Sequence, residues 1–184
     1  MMAMVNDPTQ VTLTHVGPVF SVERLEWVSS RGLIVKDIVR HPGAVTIIGE
    51  LRDGRLVMIR NHRVAVGAKL LEFCAGKRET GEDPQQGALR ELEEETGFSA
   101  GAIEPIGRFY TTPGFADELM HVFRAWELTP IERRLEPGEE IEVVLLEPDQ
   151  VRSAIADGTL VDGKSIAAFH LWEISRARSP EERG

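Results

Sequence analysis

Among 184 residues there is one cysteine, one tyrosine and four lysines, and no long apolar run. A lone Cys74 excludes a disulfide within the chain and any CxxC metal or redox motif, which makes a reducing cytoplasm the expected setting. The longest apolar stretches, such as Ala44 to Ile48, fall far short of the roughly 20 residues that a helical membrane span requires. The start, MMAMVNDPTQ, has no basic segment leading into an apolar one, so neither membrane insertion nor a secretory leader is expected. Positive charge is scarce as well. Thirty acidic against twenty-one basic side chains leave a formal charge of −9, with the lysines and arginines scattered, which disfavours nucleic acid as a partner. No internal repeat appears. The length fits one domain, or one with a small accessory piece, and a chain of this size can bury roughly 70% of its unfolded surface without disulfides.

Strand-like runs fill the first third of the chain: Val19 to Val28, Leu33 to Arg40 and Ala44 to Leu51, separated by Ser-Ser-Arg-Gly and His-Pro-Gly. Together they suggest an antiparallel meander at the N-terminus. Asp53-Gly54, between Ala44 to Leu51 and Leu56 to Arg60, predicts a hairpin. Asp83 as N-cap, Pro84 at the first helical position and Gly97 as terminator predict a helix between them. Strands follow at Ile103 to Tyr110, Leu119 to Leu128 and Ile141 to Leu146, then helices at Asp149 to Ala156 and Lys164 to Arg178. Without strict β-α-β alternation, a mixed-sheet α+β or α/β sandwich is favoured over a doubly wound fold.

At 100° per residue, Glu91, Glu94 and Glu95 fall within an arc of about 100° on the Asp83 helix, beside the apolar flank of Ala88, Leu89 and Leu92. Like charges at this spacing repel. A hard dication such as Mg²⁺ or Mn²⁺ offsets that repulsion because it takes oxygen ligands, and Arg90 can hold one of the carboxylates.

The segment Gly76 to Phe98, GKRETGEDPQQGALRELEEETGF, resembles the signature of the Nudix hydrolases at every specified position: Gly76, Glu82, Arg90, Glu91, Leu92, Glu94, Glu95, Gly97 and Phe98. The resemblance implies an α+β Nudix fold, an α/β/α sandwich with a mixed sheet, over residues 44–184, with residues 1–43 as N-terminal antiparallel strands. It implies that Glu91 and Glu95, with Glu94 close by, ligate Mg²⁺ or Mn²⁺, and that the Ala75 carbonyl completes a coordination sphere. It further implies that Arg90 orients the acids and that Glu82 assists through water or by pairing with Arg90. The implied chemistry is attack of water on a diphosphate.

Outside this box, Pro113, sixteen positions after Gly97, and Leu71-Glu72-Phe-Cys-Ala-Gly76 resemble the ADP-ribose pyrophosphatase subgroup. Cys74 stands where that pattern has proline, and reads as a small buried thiol rather than a reactive one. The subgroup resemblance implies hydrolysis of ADP-ribose or a related ADP-sugar to AMP and ribose 5-phosphate. It also implies a general base on the Pro137-Gly138-Glu139-Glu140 loop, with Glu140 and Glu139 ranked nearly equal and Glu142 third. Arg63, Glu72, Pro113 and Arg108 are the candidate substrate contacts, Arg40 a further one, and Phe20 or Trp27 could stack on adenine although core packing is the more ordinary role. The resemblance also implies a homodimer that exchanges its N-terminal strands. Alternatives are a Nudix hydrolase of GDP-mannose or another nucleoside diphosphate derivative, and a noncatalytic nucleotide-sensing module.

Overall fold

The computed structural model describes residues 8–135, 138 and 140–177. Three N-terminal strands, β1 (Gln10–Val16), β2 (Ser21–Ser29) and β3 (Gly32–Arg40), form a separate antiparallel sheet in that order. Val19 to Val28 and Leu33 to Arg40 pair in it as expected, whereas Ala44 to Leu51, expected in the same meander, belongs to the second sheet. The alternation of Val11 and Leu13 with polar residues supplies β1, a strand absent from the expectations above.

The body is a seven-stranded mixed sheet. Its strands are β4 (Ala44–Glu50), β5 (Leu56–Arg63), β6 (Ala68–Glu72), β7 (Cys74–Lys77), β8 (Phe98–Tyr110), β9 (Leu119–Pro130) and β10 (Ile141–Leu146). The main path runs β10-β5-β4-β9-β8, with β4 and β9 parallel and the other neighbours antiparallel. The Asp53-Gly54 hairpin forms as expected. Gly54 adopts φ +89° and Asp53 accepts the Arg55 N–H, while Gly49 and Glu50 pair with Val57 and Leu56. Beyond those two pairs β4 and β5 diverge, and the wedge between them is filled by a strap. In it β6 pairs with β5 along Ile59 to Arg63, and β7 pairs with β4 along Ala44 to Ile47.

Helices cover both faces, as a sandwich requires. The helix α1 (Pro84–Glu91) lies on one face, where Ala88 and Leu92 pack on Val45, Ile47, Phe123 and Ala125. On the other face α2 (Pro148–Ala156) and α3 (Gly163–Ala177) pack Val151, Phe169 and Trp172 against Ile48, Met58 and Phe73. Strand β4 is buried on both faces because it serves both layers. Burying each Leu, Ile or Phe contributes about 1.5–3 kcal/mol, so two such layers can hold crowded like charges in one place without loss of the fold.

The N-terminal sheet is tied to this body beside the Pro113 turn. The Val39 N–H donates to the Phe115 carbonyl at 2.8 Å and the Asp117 N–H donates to the Val39 carbonyl at 3.1 Å. Arg40 bridges Glu23 on β2 at 2.7 Å and Asp117 at 3.0 Å. Pro113 therefore sits in the turn that anchors the accessory sheet.

Candidate active site

Asp83 caps α1 as its position requires, its carboxylate accepting the Gln85 and Gln86 N–H groups at 2.9 and 3.3 Å. The helix does not continue as an α-helix to Gly97. From Leu92 to Thr96 it widens into a π turn, and Gly97 then closes it at φ +71° with its N–H on the Glu93 carbonyl. The Thr96 hydroxyl donates to the Leu92 carbonyl at 2.5 Å inside that turn.

Arg90 is the hub of the acidic cluster. Its Nε donates to Glu82 at 3.0 Å, its Nη1 to Glu91 at 2.8 Å and Glu94 at 3.1 Å, and its Nη2 to Glu82 at 3.2 Å and the Lys77 carbonyl at 3.2 Å. Five donated bonds match the five N–H groups of a guanidinium, a set that a lysine cannot supply. The surrounding carboxylates hold the Arg90 guanidinium still further above its already high range, Glu82 foremost. In return Arg90 holds the Glu82 carboxyl below its ordinary value, helped by the Glu79 N–H. Gly87 makes room for Glu82, since a Cβ there would stand 2.8 Å from a Glu82 oxygen.

Glu91 and Glu95 reach the strap. Glu95, 4% exposed, accepts the Ala75 N–H at 3.1 Å. The Glu91 carboxylate lies against Gly76 so closely that a Cβ there would fall 1.9 Å from its Cδ. Beneath them Cys74 is buried and its carbonyl accepts the Thr46 hydroxyl. Burial, then the neighbouring Glu95, pushes the Cys74 thiol well above its ordinary pKa, the behaviour of an inert buried thiol.

Among the described residues no three acidic, histidine or cysteine side chains are gathered so as to hold a metal ion by themselves, and Arg90 stands between Glu91 and Glu94 instead. The donor set still fits a hard dication. Glu91, Glu94, Glu95 and the Ala75 carbonyl offer oxygen only, and the missing side chain at Gly76 leaves the cradle in which one carboxylate rests.

Strand β7 also borders a cleft of about 380 Å³, lined by Ala75, Gly76 and Lys77 together with Arg63, Glu72 and Lys164. Glu72 is fully buried and carries two cations. Arg63 grips it with Nε at 2.8 Å and Nη2 at 2.5 Å, and Lys164 also donates to it. This bidentate grip holds the Arg63 guanidinium above its usual range and leaves its Nη1 without a hydrogen bond among the described residues. Asp162 accepts a second bond from Lys164, at 2.8 Å. A buried carboxylate with two bonded cations is stable as a set, whereas losing one partner from such a set costs about 3–5 kcal/mol.

The other expected contacts are distributed differently. Arg108 is exposed on β8 opposite His121 on β9, and burial, with Arg78 and Arg108 nearby, lowers the His121 pKa. Neither Arg108 nor Pro113 borders the cleft. Glu140 stands 3.8 Å from Lys69 on β6 with its side chain 73% exposed, away from the cleft, and Glu142 stands 3.8 Å from Arg60. Glu139 lies outside the described residues. The cleft also takes in His41, Glu118, Asp162 and Lys164, none of them among the residues expected from sequence. Of these Asp162 had a readable signal: an Asp three residues before Ser165, at a helix start, is an N-cap, and it accepts the Ser165 N–H at 3.0 Å.

Residues 40–169 match the NUDIX domain. The chain is 38% identical over 144 residues to the ADP-ribose pyrophosphatase of Bacillus subtilis (strain 168), covering 77% of this chain and 78% of that protein. It is 37% identical over 144 residues to the methanol dehydrogenase activator of Bacillus methanolicus, with the same coverage. A crystal structure titled ADP compounds hydrolase superposes with a TM-score of 0.79 at 23% identity, covering 96% of this chain and 99% of that one, which establishes the shared fold. With the acidic helix, its arginine hub and the two-layered mixed sheet in place, the chain belongs to the Nudix hydrolase family.

Proposed function

We propose that this chain hydrolyses the diphosphate of ADP-ribose or a related ADP-sugar with Mg²⁺ or Mn²⁺, releasing AMP and ribose 5-phosphate. The observation that carries the reading is the joint use of β7. This short strand meets Glu91 and Glu95 and also lines a cleft shared with Arg63 and Lys164. The relative from Bacillus subtilis (strain 168), named an ADP-ribose pyrophosphatase, supports the choice of substrate.

Nudix hydrolases generally use divalent metals, and Glu91, Glu95, Glu94 and the Ala75 carbonyl are the residues that would hold them here. When bound, such ions neutralise nonbridging phosphate oxygens and lower the pKa of a coordinated water. Arg90 keeps Glu82, Glu91 and Glu94 gathered on one guanidinium. Arg63, fixed by Glu72, turns its unused Nη1 to the anionic substrate as a pre-oriented donor. In the reaction the water oxygen bonds to one phosphorus, the bridging oxygen leaves with the other phosphate, and a carboxylate takes the water proton. Glu140 or Glu139 fills that last role if their loop comes over the cleft on substrate binding, a geometry that enzymes often complete only in the bound state.

The unsubstrated protein carries a second surface that bears on the reading. Every residue of β1 is exposed, and Val11, Leu13, Val16, Val28, Leu33 and Val35 lie bare on the accessory sheet, which fits a homodimer that exchanges these strands. Light scattering is expected to return twice the 20.5 kDa chain mass, and the monomer mass at micromolar concentration would remove the dimer from the proposal. A single buried cysteine suits a cytoplasmic setting.

Product analysis tests the activity. With Mg²⁺ or Mn²⁺ present, ADP-ribose is expected to give equimolar AMP and ribose 5-phosphate, ahead of GDP-mannose, other nucleotide sugars and nucleoside triphosphates. Faster cleavage of GDP-mannose would reassign the substrate class, and binding without turnover of any would make the chain a nucleotide-sensing module.

A further inference from the structure

Phe73 joins the two halves of the strap, β6 and β7, and its backbone N–H is buried. It finds its acceptor 92 positions away: the Ser165 hydroxyl, in the first turn of α3, at 2.8 Å. Ser165 is itself completely buried, and its hydroxyl donates in turn to Asp162 at 2.5 Å. That bond fixes the direction of the hydroxyl. Its proton is committed to Asp162, so its lone pairs face Phe73. The same Asp162 oxygen accepts the Ser165 N–H and a bond from Lys164, and Lys164 also bonds Glu72, the residue before Phe73.

We propose that Ser165 is a positioning residue for the acidic site: with Asp162 it latches the middle of the strap to α3 so that Ala75, two residues on, meets Glu95. Nothing else in the first turn of α3 holds Phe73, and β6 and β7 pair with different strands on either side of it. Without the latch the flanking pairs of Glu72 with Ile59 and of Cys74 with Ile47 remain, but the Phe73 N–H between them is left buried without its acceptor. Because the Ala75 N–H and the Ala75 carbonyl belong to neighbouring peptide units, a shift at residue 73 is passed to both. Residues that orient ligands from outside the first coordination sphere commonly change metal affinity or activity by about 10–100-fold. The proposal rests on the metal-dependent reading above for its Mn²⁺ and activity readouts, and the amide-exchange readout stands apart from it.

Ser165→Ala in the full chain tests it, the change removing one oxygen from a packed site. In the metal-free protein the Ala75 amide is expected to exchange with solvent faster than in the wild type, while β8 and β9 amides keep their rates. Calorimetric Mn²⁺ binding is expected to weaken by about ten-fold, and kcat on ADP-ribose to fall by a similar factor with KM nearly unchanged. Ala154→Gly, in α2 on the same core face, serves as the control for general loss of stability, and is expected to leave the Ala75 amide and Mn²⁺ binding as in the wild type. Unchanged Ala75 exchange and Mn²⁺ affinity in Ser165→Ala would overturn the latch, as would equal losses in Ala154→Gly. Should the wild type fail to bind Mn²⁺ or to cleave ADP-ribose, the exchange of the Ala75 amide in the metal-free protein still decides the latch, so the two readings fail separately.

Discussion

Glu95→Gln is expected to lower kcat for ADP-ribose by about 10³-fold, the several kcal/mol of transition-state stabilisation that a correctly held dication supplies. Structure sharpens the reason. Glu95 does not stand in an open cleft but is nearly buried, with one oxygen on the Ala75 N–H. A glutamine carbonyl can accept that same bond, so the strap stays in place while the charge is lost. Charge matters most at a site of this kind, because an ion pair is screened less in a water-poor surrounding than on the surface. Folding should hold or improve, since removing one carboxylate relieves repulsion with Glu91 on the same helical flank. Steady-state kinetics, thermal unfolding and Mn²⁺ calorimetry on the same preparation check the three parts. A folded variant within ten-fold of wild-type kcat would remove Glu95 from the reaction.

Local chemistry made α1 legible from sequence, and long-range chemistry hid the rest of the site. Asp83, Pro84 and Gly97 act within a few residues of their own backbone, so their presence alone located the start of the helix and the close of the π turn that continues it. The Asp53-Gly54 turn was readable for the same reason. By contrast, β6 and β7 carry little strand signal of their own, Cys-Ala-Gly-Lys having no β-branched residue, and they become strands because β4 and β5 diverge and leave a wedge to fill. The wall formed by Lys164 and Glu72 joins residues 92 positions apart, a distance over which no periodicity carries information. Strand β1 is a different case. The alternation at Val11 and Leu13 was there to be read, and its exposure on both faces shows that it owes nothing to the core of its own chain.

The π turn shows where regular geometry stops serving as a guide. Placing Glu91, Glu94 and Glu95 at 100° intervals put all three on one flank, and the structure does gather the first two through Arg90 while sending Glu95 to Ala75. The widened turn begins at Leu92, after the arginine and the first acid, so the last two acids are set on a looser spiral than the one assumed. Sequence offered the donors, and the backbone change distributes them between the arginine hub and the strap.

Gly76→Ala separates position from charge at the same site. Gly76 has no left-handed φ to preserve, so an alanine is acceptable to its backbone. Its new Cβ, however, would stand 1.9 Å from the Glu91 Cδ and 2.0 and 2.3 Å from the two oxygens, well inside contact distance. The atoms in the way are the far end of a mobile side chain, which can yield without moving the strand. Glu91 is therefore expected to leave its cradle and weaken its bond to Arg90, while every charge in the protein stays as it was. The predicted signature is a melting temperature within a few degrees of wild type, a loss of Mn²⁺ affinity of about 10–100-fold, and a fall of about 10²-fold in kcat on ADP-ribose. Adding Mn²⁺ well above its new dissociation constant should recover part of that turnover but none of the equivalent loss in Glu95→Gln, where the ligand charge is gone. If Gly76→Ala binds Mn²⁺ and turns over like the wild type, the seat of the Glu91 carboxylate against β7 has no part in the chemistry, and the glycine serves packing alone.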